Sequence, residues 1–179
     1  AGALATTDAD IAATVRAMRN HGAGADKRIP ADVSIWGTNS RLDNLHAAIL
    51  NFKLAEYPAA IDRRRAIAAR YHEAFGEIEG LRLPPPPTEG GDYFDIFQNY
   101  EVRAAGRRDA LRDHLAERKI GTIVQWGGLG IHQFRGLGFT QNLPRTDAFF
   151  DDSLLLPMNH ILSEAQVGAV IDGVRSFFA

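Results

Sequence analysis

The residues of this 179-residue chain whose types and spacing could do chemistry lie together at Gly37-Thr38-Asn39-Ser40-Arg41-Leu42-Asp43. Ser40 with Asp43 three residues later is a capping-box pattern and predicts a helix that begins there. Leu42, Leu45, Ile49 and Phe52 follow at helical spacing and predict its buried face, with the helix running over residues 40–56. The first backbone N–H groups of such a helix lack internal partners and carry the positive end of its dipole, so an anion, above all phosphate, is welcome. Asn39 stands at the mouth of that end with an amide that can donate or accept. Arg41 opposes the dipole by about 0.3–1 kcal/mol, and breaches of a local rule tend to mark functional sites. The alternative is purely structural: Asn39 and Ser40 only cap, and Arg41 pairs with Asp43 or Asp32. On spacing alone that alternative is the more economical, because structural caps far outnumber phosphate sites.

Other candidate chemistry is sparser. Gly127-Gly128-Leu129-Gly130 matches neither a dinucleotide fingerprint nor a P-loop, and serves either a sharp turn or close approach to a ligand. The histidines are His21, His46, His72, His114, His132 and His160; no pair has metal-binding helical spacing and there is no cysteine, so no metal site is expected. His72 and His114 fall on predicted helices and read as surface or satisfied residues. His132 and His160 fall in loops after predicted strands, where sites often lie. Arg63-Arg64-Arg65 reads as a solvated or salt-bridged helix surface, being isolated in a chain of net charge −2. No serine-hydrolase elbow is present.

Hydrophobic content of 45% and charged content of 23% are those of an ordinary globular protein with a real core. The charge balance and a pI near 6.3 give no footprint for nucleic acid. Without cysteine there are no disulfides, no apolar run approaches a membrane span, and the alanine-rich start lacks the basic region of a signal peptide; the expected location is the cytoplasm.

The elements that must position these residues follow from pattern. Residues 2–6 predict the end of a buried strand. Thr7 with Asp10 predicts a helix start, with Ile11, Val15 and Met18 facing inward and Asn20-His21-Gly22 as its stop. Residues 22–37 predict an ordered functional loop. Pro58 fits the first turn of a second helix whose stripe is Ile61, Ala68, Tyr71, Phe75 and Ile78. Pro84 to Pro87 predict an extended crossing. Strands are predicted at 93–102 (Phe94, Ile96, Tyr100 and Val102 on one face), 122–126 and 154–158, and helices at 107–119, after Thr146 as cap, and after Ser163 with Gln166. Alternation of strands and helices gives a small α/β sandwich.

The ordered series Arg19-Asn20-His21-Gly22, Gly37-x-Asn39-x-Arg41-Leu42-Asp43-x-Leu45-x-Ala47-Ala48, Arg63 to Tyr71, Leu111 to Gly121, His132 to Phe139 and Leu156-Pro157-Met158 resembles the DegT–DnrJ–StrS nucleotide-sugar aminotransferases. That resemblance implies a pyridoxal-phosphate enzyme of the aspartate-aminotransferase fold. It implies an α/β chain in which residues 1–56 are a helical, C-terminal remnant of a fold-type-I large domain and residues 57–179 the small C-terminal domain with its linking helix. Asn39 matches the asparagine that reaches across a homodimer to the cofactor phosphate of the neighbouring subunit, and Arg41 lies near that phosphate or the substrate diphosphate. Trp126, His132 and His160 border the sugar-nucleotide pocket. The reaction implied has two halves: an amino donor, usually glutamate, converts the cofactor to its pyridoxamine form, which then aminates a keto-sugar bound to a nucleotide diphosphate. The family's Schiff-base lysine, ring-nitrogen aspartate and phosphate-binding serine or threonine precede the region matching residues 2–4, and Lys27, Lys53 and Lys119 are the wrong context for that lysine. The chain is therefore expected to be a fragment, inactive alone. Phe97-Gln98, Trp126-Gly127-Gly128 and Met158-Asn159-His160 depart from the commoner family pattern, which keeps open a divergent sugar, a pyridoxamine-dependent sugar dehydratase, or a different donor. A non-catalytic binding or assembly module is the remaining alternative.

Overall fold

Ser163 and Gln166 cap each other reciprocally, at 3.2 and 2.9 Å, and set the start of the C-terminal helix. That helix buries Val167, Val170 and Val174 along one face, as their spacing predicts. The computed structural model describes residues 2–23, 33, 35–88, 90 and 92–179, and the chain divides into two compact units, Ala1–Glu56 and Tyr57–Ala179. The elements are α1 (Ala9–Met18), α2 (Asn44–Phe75), β1 (Leu81–Arg82), β2 (Tyr100–Ala104), α3 (Arg108–Glu117), α4 (Pro144–Asp152), β3 (Ser153–Leu156) and α5 (Glu164–Phe178).

In the second unit the strands form an antiparallel sheet in the order β1-β2-β3, with Tyr100 opposite Leu156 and Val102 opposite Leu154. Tyr100, Val102 and Ala104 alternate inward along β2 and meet Tyr71 and Phe75 of α2, Leu111 and Leu115 of α3, and the α5 valines in one core. Arg103 points from the other face of β2 to α4, where it pairs with Asp152 at 3.1 Å and lies over the Phe149 ring. The first unit is different in kind. Helix α1 buries no residue, and α2 buries none before Arg65.

Several elements depart from their sequence signals. Residues 2–6 are exposed and form no strand. Helix α2 begins at Asn44 rather than Ser40, and it does not stop at Glu56 but continues through Pro58 to Phe75. Pro58 takes one rung out of the backbone ladder, at the carbonyl of Leu54, and the helix absorbs that loss beside the boundary between the units. The predicted strand 93–102 shrinks to Tyr100–Ala104, because Phe97 adopts a left-handed backbone and turns its ring into the core beside Tyr100. Residues 122–126 contribute only the bridge Ile123 to Leu155 before a 3-10 turn. Pro144, not Thr146, opens α4, with Leu143 at the cap position. Most of the predicted loop, residues 24–32 and 34, lies outside the described residues.

The arginine run is salt-bridged at Arg63, one of its two expected forms, but buried at Arg65. Arg63 pairs with Glu164 and donates to the Leu162 carbonyl. Arg64 donates to the carbonyls of Phe97 and Gln98. Arg65 is buried; it donates to the carbonyls of Thr88 and Asp95 and lies under the Phe94 ring, 4.3 Å from its centroid. Planar forks with several donors suit this work of pinning an irregular chain that follows Pro84–Pro87. Two buried tyrosines supply a test. The Tyr71 hydroxyl donates to the Pro157 carbonyl at 2.9 Å, whereas the Tyr100 hydroxyl is buried with no partner. Burial pushes both phenols above their ordinary value, so both stay neutral in the fold; their contribution is present below about pH 10 and is lost as pH rises through the raised values. Urea denaturation should show Tyr71→Phe less stable by about 1–2 kcal/mol and Tyr100→Phe unchanged or more stable. Equal losses in the two variants would contradict this assignment.

Candidate functional site

Two predicted site residues meet at the corner ahead of α2. Arg41 donates through Nε to Oδ1 of Asn39 at 3.1 Å, and both side chains are exposed. This bond fixes the Asn39 amide with its nitrogen free to donate. The two terminal guanidinium nitrogens of Arg41 take no partner among the described residues, so three N–H-bearing nitrogens are available together. That donor set fits a phosphate or the diphosphate of a nucleotide. Ser40 is not part of it, since its hydroxyl is bonded to that of Thr38 at 2.7 Å.

The helix end itself is not the anion site its capping pattern suggested. Asp43 is the cap: its carboxylate accepts from the His46 amide at 2.8 Å and bonds the His46 ring as well. The amide and the ring of His46 hold the Asp43 carboxyl below the usual carboxylate range. The leading turn therefore already carries a carboxylate from within. An anion at this corner would depend on Asn39 and Arg41, not on the α2 dipole. Arg41 also does not pair with Asp43, and Asp32 lies outside the described residues.

What sets the corner in place is a close backbone approach. His21 and Gly22 take left-handed conformations and end α1, with the Gly22 amide bonded to the Ala17 carbonyl at 2.9 Å. The segment 38–40 then runs against that end. The Thr38 amide donates to Met18 at 2.9 Å, the Ser40 amide to Arg19 at 2.9 Å, and the His21 amide to Thr38 at 3.1 Å, with Asn20 opposite Asn39. A Cβ on Gly37 would strike the Gly22 amide and the Met18 carbonyl, and one on Gly22 would strike the Ile35 carbonyl. The two motifs at 19–22 and 37–41 are thus one local structure, joined through Gly22, which the sequence marks as a helix stop, and Gly37, which heads the second motif.

The second group of predicted residues lies on the glycine-rich segment of the other unit. Trp126 is 75% exposed, with φ 52° and ψ 27°, followed by Gly127 and Gly128 also at positive φ. A left-handed backbone costs a bulky residue about 1–2 kcal/mol, so the indole is held outward against a local preference. His132 is the opposite: it is 3% exposed, and its Nε2 lies 2.8 Å from Asp147 Oδ1 of α4. Sequence reasoning missed Asp147, since nothing in the local pattern marks a carboxylate fifteen positions on. His160 is exposed in the turn after β3. The antiparallel bridge at Ile123 and Leu155 sends the chain toward Trp126 along one end of β3, while His160 leaves by the other, so the structure does not bring His160 together with Trp126 and His132. Lys53 and Lys119 are exposed, and Lys27 lies outside the described residues.

A profile of the DegT/DnrJ/EryC1/StrS aminotransferase family matches residues 1–175. The dTDP-3-amino-3,4,6-trideoxy-alpha-D-glucose transaminase of Streptomyces venezuelae is 33% identical over 98% of this chain and 45% of its own length. The dTDP-3-amino-3,6-dideoxy-alpha-D-galactopyranose transaminase of Aneurinibacillus thermoaerophilus is 29% identical over 98% of this chain and 46% of its own. Among solved structures, S. venezuelae DesV in complex with a ketimine intermediate superimposes with a TM-score of 0.83 at 33% identity, over 96% of this chain and 45% of that one. The chain spans less than half the length of these relatives.

The glycine contact yields a direct test. Gly37→Ala is expected to push segment 38–40 off the end of α1, at a cost of about 1–3 kcal/mol, and to speed hydrogen exchange at the Thr38 and Ser40 amides. Unchanged protection at both amides would show that the close approach is not needed.

Proposed function

Because the chain belongs to the DegT/DnrJ/EryC1/StrS aminotransferase family and has the fold of the type-I pyridoxal-phosphate aminotransferases, we propose that it is the C-terminal part of an enzyme that moves an amino group from glutamate to a nucleotide-linked keto-sugar. The observation that carries the reading is the Asn39–Arg41 pair, three nitrogen donors on an exposed corner whose geometry is set by backbone bonds.

In this reading Asn39 and Arg41 bind phosphate: the Asn39 amide nitrogen takes an oxygen of the cofactor phosphate of a second subunit, and the Arg41 fork takes that phosphate or the substrate diphosphate. Trp126 presents its indole at the border of the sugar-nucleotide pocket, with His132 on the same segment, and His160 borders that pocket separately, beyond the other end of β3. When bound, pyridoxal phosphate supplies the electron sink for the amino transfer. The lysine that completes the site belongs to sequence outside this chain, and the chain is inactive alone. Residues 1–56 are a remnant of the large domain and residues 57–179 the small one. The apolar faces that α1 and the first half of α2 leave bare support this division, for they need a partner surface. The enzyme works as a homodimer with shared sites in the cytoplasm; no helix among the described residues is long and apolar enough to cross a membrane.

The test uses the intact gene product with pyridoxal phosphate, glutamate and a dTDP-linked keto-sugar. It is expected to form the dTDP-amino-sugar, and the 179-residue chain alone to form none. Asn39→Ala should weaken cofactor binding, and Arg41→Ala the binding of cofactor or of sugar nucleotide, each by about tenfold or more, the worth of a charge-assisted hydrogen bond. Cofactor binding that ignores both substitutions, or product from the isolated chain, would overturn the proposal.

A further inference from the structure

We propose that His132 and Asp147 form a latch that pins the glycine-rich segment 126–139 to α4, so that His132 positions Trp126 at the pocket border and does not itself touch the ligand. The latch stands on geometry alone; what it positions rests on the functional reading above.

The segment has little else to hold it. Its backbone hydrogen bonds are local, each reaching three residues back from Gly127, Leu129, Gln133, Phe134, Leu137 and Gly138, and Arg135 donates to the Phe139 carbonyl. Apolar burial does not replace them, because Leu129, Ile131, Phe134 and Leu137 all face outward. Among the described residues, the bond from His132 Nε2 to Asp147 Oδ1 at 2.8 Å is the only hydrogen bond that ties this segment to a distant part of the chain.

The latch is fitted, not incidental. Gly130 lies directly over the imidazole: a Cβ there would come 2.7 Å from Cε1, 2.8 Å from Nδ1 and 3.3 Å from the Phe150 ring. The Gly130 amide is held in turn by the Gln133 side chain at 2.8 Å. Nδ1 is buried and has no partner, so the tautomer with its hydrogen on Nε2 leaves no buried donor unpaired and directs that hydrogen at Asp147. Covered in this way, Nδ1 cannot reach a ligand while the segment keeps its place. Asp147 lies in the first turn of α4, where a carboxylate also complements the helix dipole. Its helix packs against the turn that carries Trp126.

The experiment pairs two readouts for Asp147→Asn, Asp147→Ala and Gly130→Ala. One is hydrogen exchange of the amides of residues 127–137 in the full chain; the other is KM for the sugar nucleotide and for the amino donor in the intact enzyme. Asp147→Asn keeps an acceptor and is expected to behave as the parent. Asp147→Ala and Gly130→Ala are expected to speed exchange in the segment and to raise the sugar-nucleotide KM about tenfold or more, with the donor KM unchanged. Unaltered exchange in Asp147→Ala would overturn the latch. Faster exchange with an unaltered sugar-nucleotide KM would overturn the positioning role, and so would an Asn variant as impaired as the Ala variant. Absence of turnover in the parent enzyme would instead strike the functional reading, leaving the exchange arm to decide the latch.

Discussion

Helix α2 is apolar on both halves but covered on only one. From Arg65 to Phe75 it buries Ile67, Ala68, Tyr71 and Phe75 in a shared core, while Leu45, Ile49, Phe52 and Leu54 are exposed, Phe52 by 75%. Each such side chain would contribute about 1.5–3 kcal/mol if covered. A helix of this length is held by packing more than by propensity, and the described residues leave its first half uncovered. That constraint organises the rest: one unit has its own core, and the described residues of the other bury no large apolar side chain.

The same division bears on function. The Asn39–Arg41 corner sits in the unit without a core, yet its backbone is fixed by short-range contacts between residues 17–22 and 37–40. Donors can therefore be arranged precisely enough to meet a phosphate even though the unit buries almost nothing of its own. The Trp126 segment belongs to the unit with a core, and in the proposed latch its strained residue is held through one part-buried pair and a glycine. Under the proposed function, each unit offers a preformed edge of its own.

Much of this was legible in the sequence, and the failures share a cause. The α5 capping box, the helix α3 and the turn at Asn20-His21-Gly22 depend on neighbours within a few residues, so pattern alone found them. The start of α2 was misread because Ser40 and Asp43 offer equivalent local signals, and the bond between the Ser40 and Thr38 hydroxyls leaves the cap to Asp43. Pro58 was taken for a helix start, but a helix supported by packing on its C-terminal half can run through one missing rung. Phe97 broke the expected strand because the core rewarded its ring more than the ladder rewarded its backbone. Asp147 and the glycine contact were invisible for a simpler reason: each depends on a partner distant in sequence, and no alternation or period announces it.

The central claim is that the Asn39–Arg41 corner completes a site whose lysine belongs to another subunit. Subunit complementation tests it most directly. One intact subunit would carry Asn39→Ala with Arg41→Ala, and the other would lack the lysine. Neither homodimer should turn over, and mixing and re-associating the two should restore activity, because one hybrid site then holds both halves. Mixed subunits as inactive as the separate ones, with hybrid dimers demonstrably formed, would contradict the account.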